Sequence, residues 1–327
     1  MYEDKKLFLS LDAYEKRVET ILALENRGEI VGEFINGPNG CLKILRNHFK
    51  PNKSLLVLLI HGSGMNEFSW ASAIERLEEK GINAVTFAWH GHSRSIPFDR
   101  ERFSKSGLMD FIADAEAVIK KYQSELKLKD DQIVLVGHSY GVIINTYLAR
   151  NKNYKSILNF CNAYPNEEYF NNVGVNIQNQ EELMNAMSKL YNFASKEWIR
   201  KTLDDANRNI IYENYKQMGT QNWYLSQLLN IKIPDNYSGL LEKILGPSSR
   251  KAAAEAFLIP PFLPKKSEIN SKIYFFAAAE DRLDPKNTIE QLTKAWDGSY
   301  KELPGPHAGT YSPYLDQYID TICELIS

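Results

Sequence analysis

The chain has 327 residues, 43% of them hydrophobic and 24% charged, with a formal net charge of −2. That length can bury a full core, as one large α/β domain with an insertion or as two unequal domains, and the near-neutral charge argues against nucleic acid and for a small-molecule partner. The start carries charges with no extended apolar core behind them and no run approaches membrane-spanning length, so a cytoplasmic protein with no membrane partner is expected; Cys41, Cys161 and Cys323 lack paired spacing, which predicts reduced thiols and neither a disulfide nor a metal site.

Ser10 precedes apolar residues at helical spacing (Leu11, Tyr14, Val18, Ile21, Leu22), and Gly28 closes the stretch. This predicts an amphipathic N-terminal extension over residues 1–28, packed on the flank of the domain or serving as a homodimer contact or a wall of the site entrance. Ile30–Phe34 and Leu42–Leu45 flank the turn-rich Asn36-Gly37-Pro38-Asn39-Gly40 and read as a hairpin of edge strands. Ser54–Ile60 is continuously apolar, as expected of a strand buried on both faces of a mostly parallel sheet. A helix over Trp70–Lys80 closed by Gly81, a strand over Asn83–Ala88, and a helix with Leu108, Phe111, Ile112, Ala115, Val118, Ile119 and Tyr122 on one face continue the strand–helix alternation.

Ile133–Val136, mostly β-branched, predicts a buried strand, and Ile144, Tyr147 and Leu148 carry helical spacing after Gly141. Between them stands Gly137-His138-Ser139-Tyr140-Gly141. A strand that turns directly into a helix strains the central serine, and the close approach of neighbouring backbone requires Gly137 and Gly141. Ser139 then projects at the mouth of a helix N-terminus, where backbone N–H groups favour developing negative charge. The segment resembles the nucleophile elbow of the α/β-hydrolase family. That resemblance implies an eight-stranded, mostly parallel sheet flanked by helices, an oxyanion loop upstream, and an acid and a histidine downstream in that order.

His61-Gly62-Ser63-Gly64, at the end of the Ser54–Ile60 strand, is similar to the family's oxyanion loop. By that similarity the backbone N–H groups of Ser63 and Tyr140 hold the oxyanion, with Gly64 and Met65 as alternatives for the first; His61 braces the loop by hydrogen bonding. Trp89-His90-Gly91-His92-Ser93-Arg94-Ser95 fits the family's Asp-x-x-Gly-x-Gly-x-Ser loop in part, with Ala88 at the Asp position and Ser93 at the second Gly. His90 and His92 are therefore expected to be structural or lining residues.

Ser156–Cys161 predicts another buried strand, after which the alternation stops from about Asn166 to Asn270. Helix-like stretches there (Glu181–Tyr191, Lys196–Asp205, Tyr224–Leu229) are broken by turns at Pro234-Asp235-Asn236, Gly246-Pro247 and Pro260-Pro261. The insertion resembles the mainly helical cap of many α/β-hydrolases, giving a core of residues 29–165 and 271–327 and a cap of 166–270. The Lys272–Ala277 strand leads to Asp281 at the family's acid position, with Glu280 and Asp284 as alternates, and Ser299–Leu303 leads to His307, the only histidine downstream of the acid.

Ser139, Asp281 and His307 in that order imply a serine hydrolase cleaving a small or medium-sized ester, thioester or amide through an acyl-enzyme, with no cofactor required. The substrate partner is then a small acyl compound. A carbon–carbon bond hydrolase or an acyltransferase would keep the same three residues, though Met65-Asn66 departs from the Pro-Gly usual in the former. A capped binding protein with weak or no turnover is the reading from another class.

Overall fold

The structure is a computed structural model that describes residues 11–50, 54–95, 99–175, 177, 179–190, 195–209, 211–212, 248–258, 263–311 and 314–326. Ten strands occur among them: β1 (Val31–Gly37), β2 (Gly40–Arg46), β3 (Leu56–Ile60), β4 (Asn83–Phe87), β5 (Ile133–His138), β6 (Ser156–Phe160), β7 (Ile211–Tyr212), β8 (Ser248–Ser249), β9 (Lys272–Ala278) and β10 (Ser299–Leu303). Eight form one sheet in the order β1-β2-β4-β3-β5-β6-β9-β10. β2 runs antiparallel to β1 and β4, and the remaining pairs are parallel.

The central strands β3, β4, β5 and β6 are buried along their whole length. β3 and residues Ile133–Val136 of β5 are continuously apolar, as a sheet covered on both faces demands, while β4 and β6 also bury the polar residues Asn83, Thr86, Ser156 and Asn159. One layer against the sheet gathers Phe111, Ala115, Val118 and Ile143; the opposite layer gathers Trp70, Ile74, Leu77 and Ile319 with Val18 and Ile21 of the helix Leu11–Asn26. The N-terminal helix thus packs on the flank of the sheet.

The hairpin is tighter than the turn-rich sequence suggests. Gly37 pairs with Gly40, so the connection is only Pro38-Asn39. Helices Gln180–Leu190 and Lys196–Asn207 fall where the spacing put them, within one or two residues at each end. The helix expected at Tyr224–Leu229 lies outside the described residues. A two-residue ladder between β7 and β8 was not foreseen, because so short a pairing leaves no periodicity to read.

The described helices of residues 166–270 do not form a separate core. Leu183, Met187, Ile199 and Ala256 belong to the same apolar cluster as Trp89, Phe111 and Tyr140 of the sheet domain. Among the described residues no helix is long and apolar enough to cross a membrane. The three cysteines are free thiols, Cys161 buried and the other two half-buried.

Candidate functional site

β5 ends at His138, and the helix Gly141–Leu148 begins three residues later. Ser139, between them, has φ 53°, a left-handed conformation that costs a residue with a Cβ about 1–2 kcal/mol. The strain is held in place by backbone contacts on both sides. A Cβ on Gly137 would lie 2.6 Å from the Gly141 carbonyl oxygen, and one on Gly141 would lie 2.7 Å from that of Ile60. Glycine is the only residue these two approaches accommodate. Ser139 N–H donates to the Phe160 carbonyl at 2.9 Å, tying the turn to the end of β6.

The ends of β9 and β10 bring the other two residues to this serine. Ala279 N–H donates to the Leu303 carbonyl at 2.8 Å and Glu280 N–H to the Gly305 carbonyl at 3.0 Å, so the two loops remain paired beyond the strands. His307 Nε2 then lies 2.8 Å from Ser139 Oγ, and its Nδ1 lies 2.7 Å from Asp281 Oδ2. Asp281 Oδ1 accepts N–H groups from Leu283 at 2.8 Å and Asp284 at 3.0 Å, which fixes the carboxylate. The Asp281 side chain is fully buried and that of His307 nearly so, whereas Ser139 is half-buried. Burial favours a neutral His307 ring, but the charge and hydrogen bond of Asp281, with Asp284 behind them, raise its pKa above the usual imidazole value.

A model of the alpha/beta hydrolase family matches residues 57–208. Among solved structures the chain is similar to an epoxide hydrolase from Vigna radiata, at 15% identity and a TM-score of 0.63 over 91% of this chain and 98% of that one. It is similar to a thioesterase domain from the curacin biosynthetic pathway, at 17% identity and a TM-score of 0.55 over 91% and 98%. A third similar structure comes from work on carboxylesterases of the thaumarchaeon Nitrososphaera gargenis, at 15% identity and a TM-score of 0.55 over 90% and 97%. The chain has the α/β-hydrolase fold. No curated protein matches it in sequence.

In this hydrolase fold the loop after β3 passes directly beneath the elbow. A Cβ on Gly62 would lie 3.0 Å from Ser139 Cβ, and Gly64 takes a left-handed φ of 69°. His61 Nδ1–H donates to the Gly62 carbonyl at 2.8 Å, and its ring packs on Trp89 with centroids 3.9 Å apart. Burial, helped by His92, holds the His61 ring neutral. These contacts tie the ring to the loop and to the residue after β4. Trp70 Nε1–H, donating to the Ile60 carbonyl at 3.2 Å, anchors the strand end before it.

Several buried partnerships escaped the sequence reading. His138, the residue before Ser139, donates from Nε2 to the backbone carbonyl of His307 at 2.6 Å, and burial drives its pKa down to about 3. His90 bonds Asp114 Oδ2 through Nδ1 at 2.5 Å and Ser106 Oγ through Nε2 at 2.8 Å. That constellation has the chemical types of a catalytic serine site, yet all three residues are buried, so it serves as an internal brace for the loop after β4. His92 is buried beside it and kept neutral, with its pKa at about 3. None of these pairings spans fewer than sixteen residues, so local patterns carry no sign of them.

The helix Arg250–Leu258 is docked on this scaffold by polar contacts. Tyr140 OH donates to the Ala252 carbonyl at 3.1 Å, Ser249 Oγ donates to the Ser106 carbonyl, and Glu255 Oε2 accepts the Leu108 N–H at 2.6 Å at the start of the helix Leu108–Leu126. Nearby, an apolar groove of about 530 Å³ runs between the helices Glu167–Asn172 and Gln180–Leu190, lined by Tyr169, Phe170, Val175, Ala186 and Leu190.

Proposed function

We propose that the protein is a serine hydrolase that cleaves a small or medium-sized carboxylic ester, thioester or amide through an acyl-enzyme on Ser139. The observation that carries this reading is the unbroken chain from Asp281 Oδ2 through the His307 ring to Ser139 Oγ, with both links shorter than 2.9 Å. In this reading His307 removes the hydroxyl proton as Ser139 attacks. Asp281 fixes the tautomer with Nδ1 protonated and offsets the imidazolium charge that forms. His307 then gives the proton to the leaving group and activates water for the second half of the reaction.

The oxyanion is assigned to the backbone N–H groups of Ser63 and Tyr140. Support comes from the tight approach of Gly62 to Ser139 and from the place of Tyr140 just before the helix Gly141–Leu148, where N–H groups lack intrahelical partners. Residues 166–270 are assigned as the cap, with the helix Arg250–Leu258 joining it to the elbow through Tyr140. The serine favours acyl chemistry over the epoxide opening of one structural neighbour. Attack by a hydroxyl on an epoxide carbon would leave an ether that water cannot release by addition to a carbonyl, whereas an acyl-serine retains one.

A fluorophosphonate probe tests the reading. Wild type should be labelled on Ser139 and should hydrolyse p-nitrophenyl acetate, and Ser139→Ala should do neither. Labelling that persists in Ser139→Ala would overturn the assignment.

A further inference from the structure

Asp281 is not the only carboxyl group directed at His307. Asp284, three residues later and 2% exposed, places Oδ2 at 3.6 Å from the same ring nitrogen, Nδ1, that Asp281 contacts at 2.7 Å. Its other oxygen, Oδ1, is buried without a hydrogen-bond partner among the described residues. An unpaired carboxyl oxygen in such a place is costly, because nothing replaces the water it has lost. Its backbone N–H holds Asp281 Oδ1, so the two carboxyl groups belong to one turn and both face the ring. The acid reading above uses only one of them.

We propose that Asp284 is a second positioning residue for His307, sharing the Nδ1 side of the ring with Asp281 and able to orient it when Asp281 is lost. The proposal rests on Ser139 and His307 acting as described above. Two adjacent carboxylates cannot both ionise cheaply in a dry site. Burial pushes the Asp284 carboxyl up to about 8 against the pull of His307, with Asp281 adding to the rise. At neutral pH Asp284 then carries a proton. Removing the Asp281 charge removes one reason for that proton, and Asp284 has less than 1 Å to travel to reach hydrogen-bond distance from Nδ1.

The remaining titratable groups of the pocket are poor substitutes. The Cys161 thiol is pushed well up by burial and by both carboxyl groups, the Tyr318 hydroxyl is pushed well up by burial and its neighbours, and His138 is neutral and committed to the His307 carbonyl. Glu280 is exposed and precedes the turn.

The experiment compares wild type, Asp284→Asn, Asp281→Ala and the double variant by the rate of fluorophosphonate labelling and of p-nitrophenyl acetate hydrolysis from pH 6 to 9. Asp281→Ala should be strongly impaired at pH 6 and should recover tenfold or more relative to the double variant as pH rises and Asp284 ionises. Superimposable pH profiles for Asp281→Ala and the double variant would overturn the proposal. Asp284→Asn, which changes size little, supplies a second measurement should the double variant fail to fold. Because Asp284 carries a proton below about pH 8, the variant removes a negative charge from beside the ring only above that pH, and its kcat/KM profile should depart from wild type on the alkaline side; profiles that superimpose from pH 6 to 9 would also overturn the proposal. Ser139→Ala separates the two levels. Labelling that persists there defeats the serine hydrolase reading itself, whereas labelling abolished there with unchanged profiles in the Asp284 variants defeats only the second carboxyl.

Discussion

Gly141→Ala strikes the contact on which the elbow depends. The added methyl carbon would sit 2.7 Å from the Ile60 carbonyl oxygen and 2.8 Å from that of His61, where ordinary contact begins at 3.4 Å. Both neighbours are backbone, so no side chain can rotate away. The elbow and the loop after β3 must separate by about 0.7 Å, at a cost of about 1–3 kcal/mol for overpacking. The same separation moves the N–H groups of Ser63 and Tyr140 apart. Since a misplacement of about 1 Å can cost on the order of a hundredfold in rate, a loss on the order of tenfold or more is expected. Thermal unfolding reports the first effect and the fluorophosphonate labelling rate the second. Gly28→Ala is the control, because Gly28 has a similar left-handed φ of 70° but nothing within 4 Å of the new carbon. It should lose about 1–2 kcal/mol of stability from backbone strain and leave labelling unchanged. If Gly141→Ala labels at the wild-type rate, the elbow and the loop do not act as a fitted pair.

His138→Phe keeps a ring in place but leaves the His307 carbonyl without its donor; it should cost about 1–3 kcal/mol and slow labelling, and wild-type values for both would refute the brace. Asp284 titrates in the folded state at about 8, above its unfolded value of about 3.9, so the native state holds an extra proton between those values and stability falls as pH rises through that window. Asp284→Asn should therefore gain stability relative to wild type on going from pH 4 to pH 8, and a constant difference in unfolding temperature would contradict this. Glu255→Ala removes the acceptor for Leu108 N–H and should cost about 1 kcal/mol in thermal unfolding; no change would mean that water replaces the carboxylate.

The sheet and the three aligned side chains were legible because each leaves a local mark. β3 and the first four residues of β5 are uninterrupted apolar runs, Ser139 sits between glycines two residues away on either side, and Asp281 and His307 each follow a strand at short range. What could not be read joins distant segments. His138 meets the His307 carbonyl across 169 positions, and His90 finds Asp114 on the helix Leu108–Leu126 and Ser106 just before it. Asp284 stood in the sequence as a rival of Asp281, but the geometry brings both to one nitrogen, a relation that spacing alone cannot express.

The N-terminal helix has a practical consequence for anyone who would shorten the chain. Glu25, near its end, lies 2.6 Å from Lys43 Nζ and 2.6 Å from Arg94 Nη1, and Arg94 Nε reaches the buried Glu67 at 2.8 Å, one turn beyond the loop after β3. Gly32 leaves the room for that carboxylate, since a Cβ there would lie 1.8 Å from Glu25 Oε1. A chain begun at Glu29 would therefore strip the counter-ion from a lysine side chain that is 6% exposed, and half the pairing from Arg94. It would also uncover the apolar surface on which Val18 and Ile21 rest. The helix Leu11–Asn26 is thus tied by charge, through Arg94, to Glu67 ahead of the helix Phe68–Glu79, and trimming it should yield an insoluble or inactive protein rather than a smaller working one.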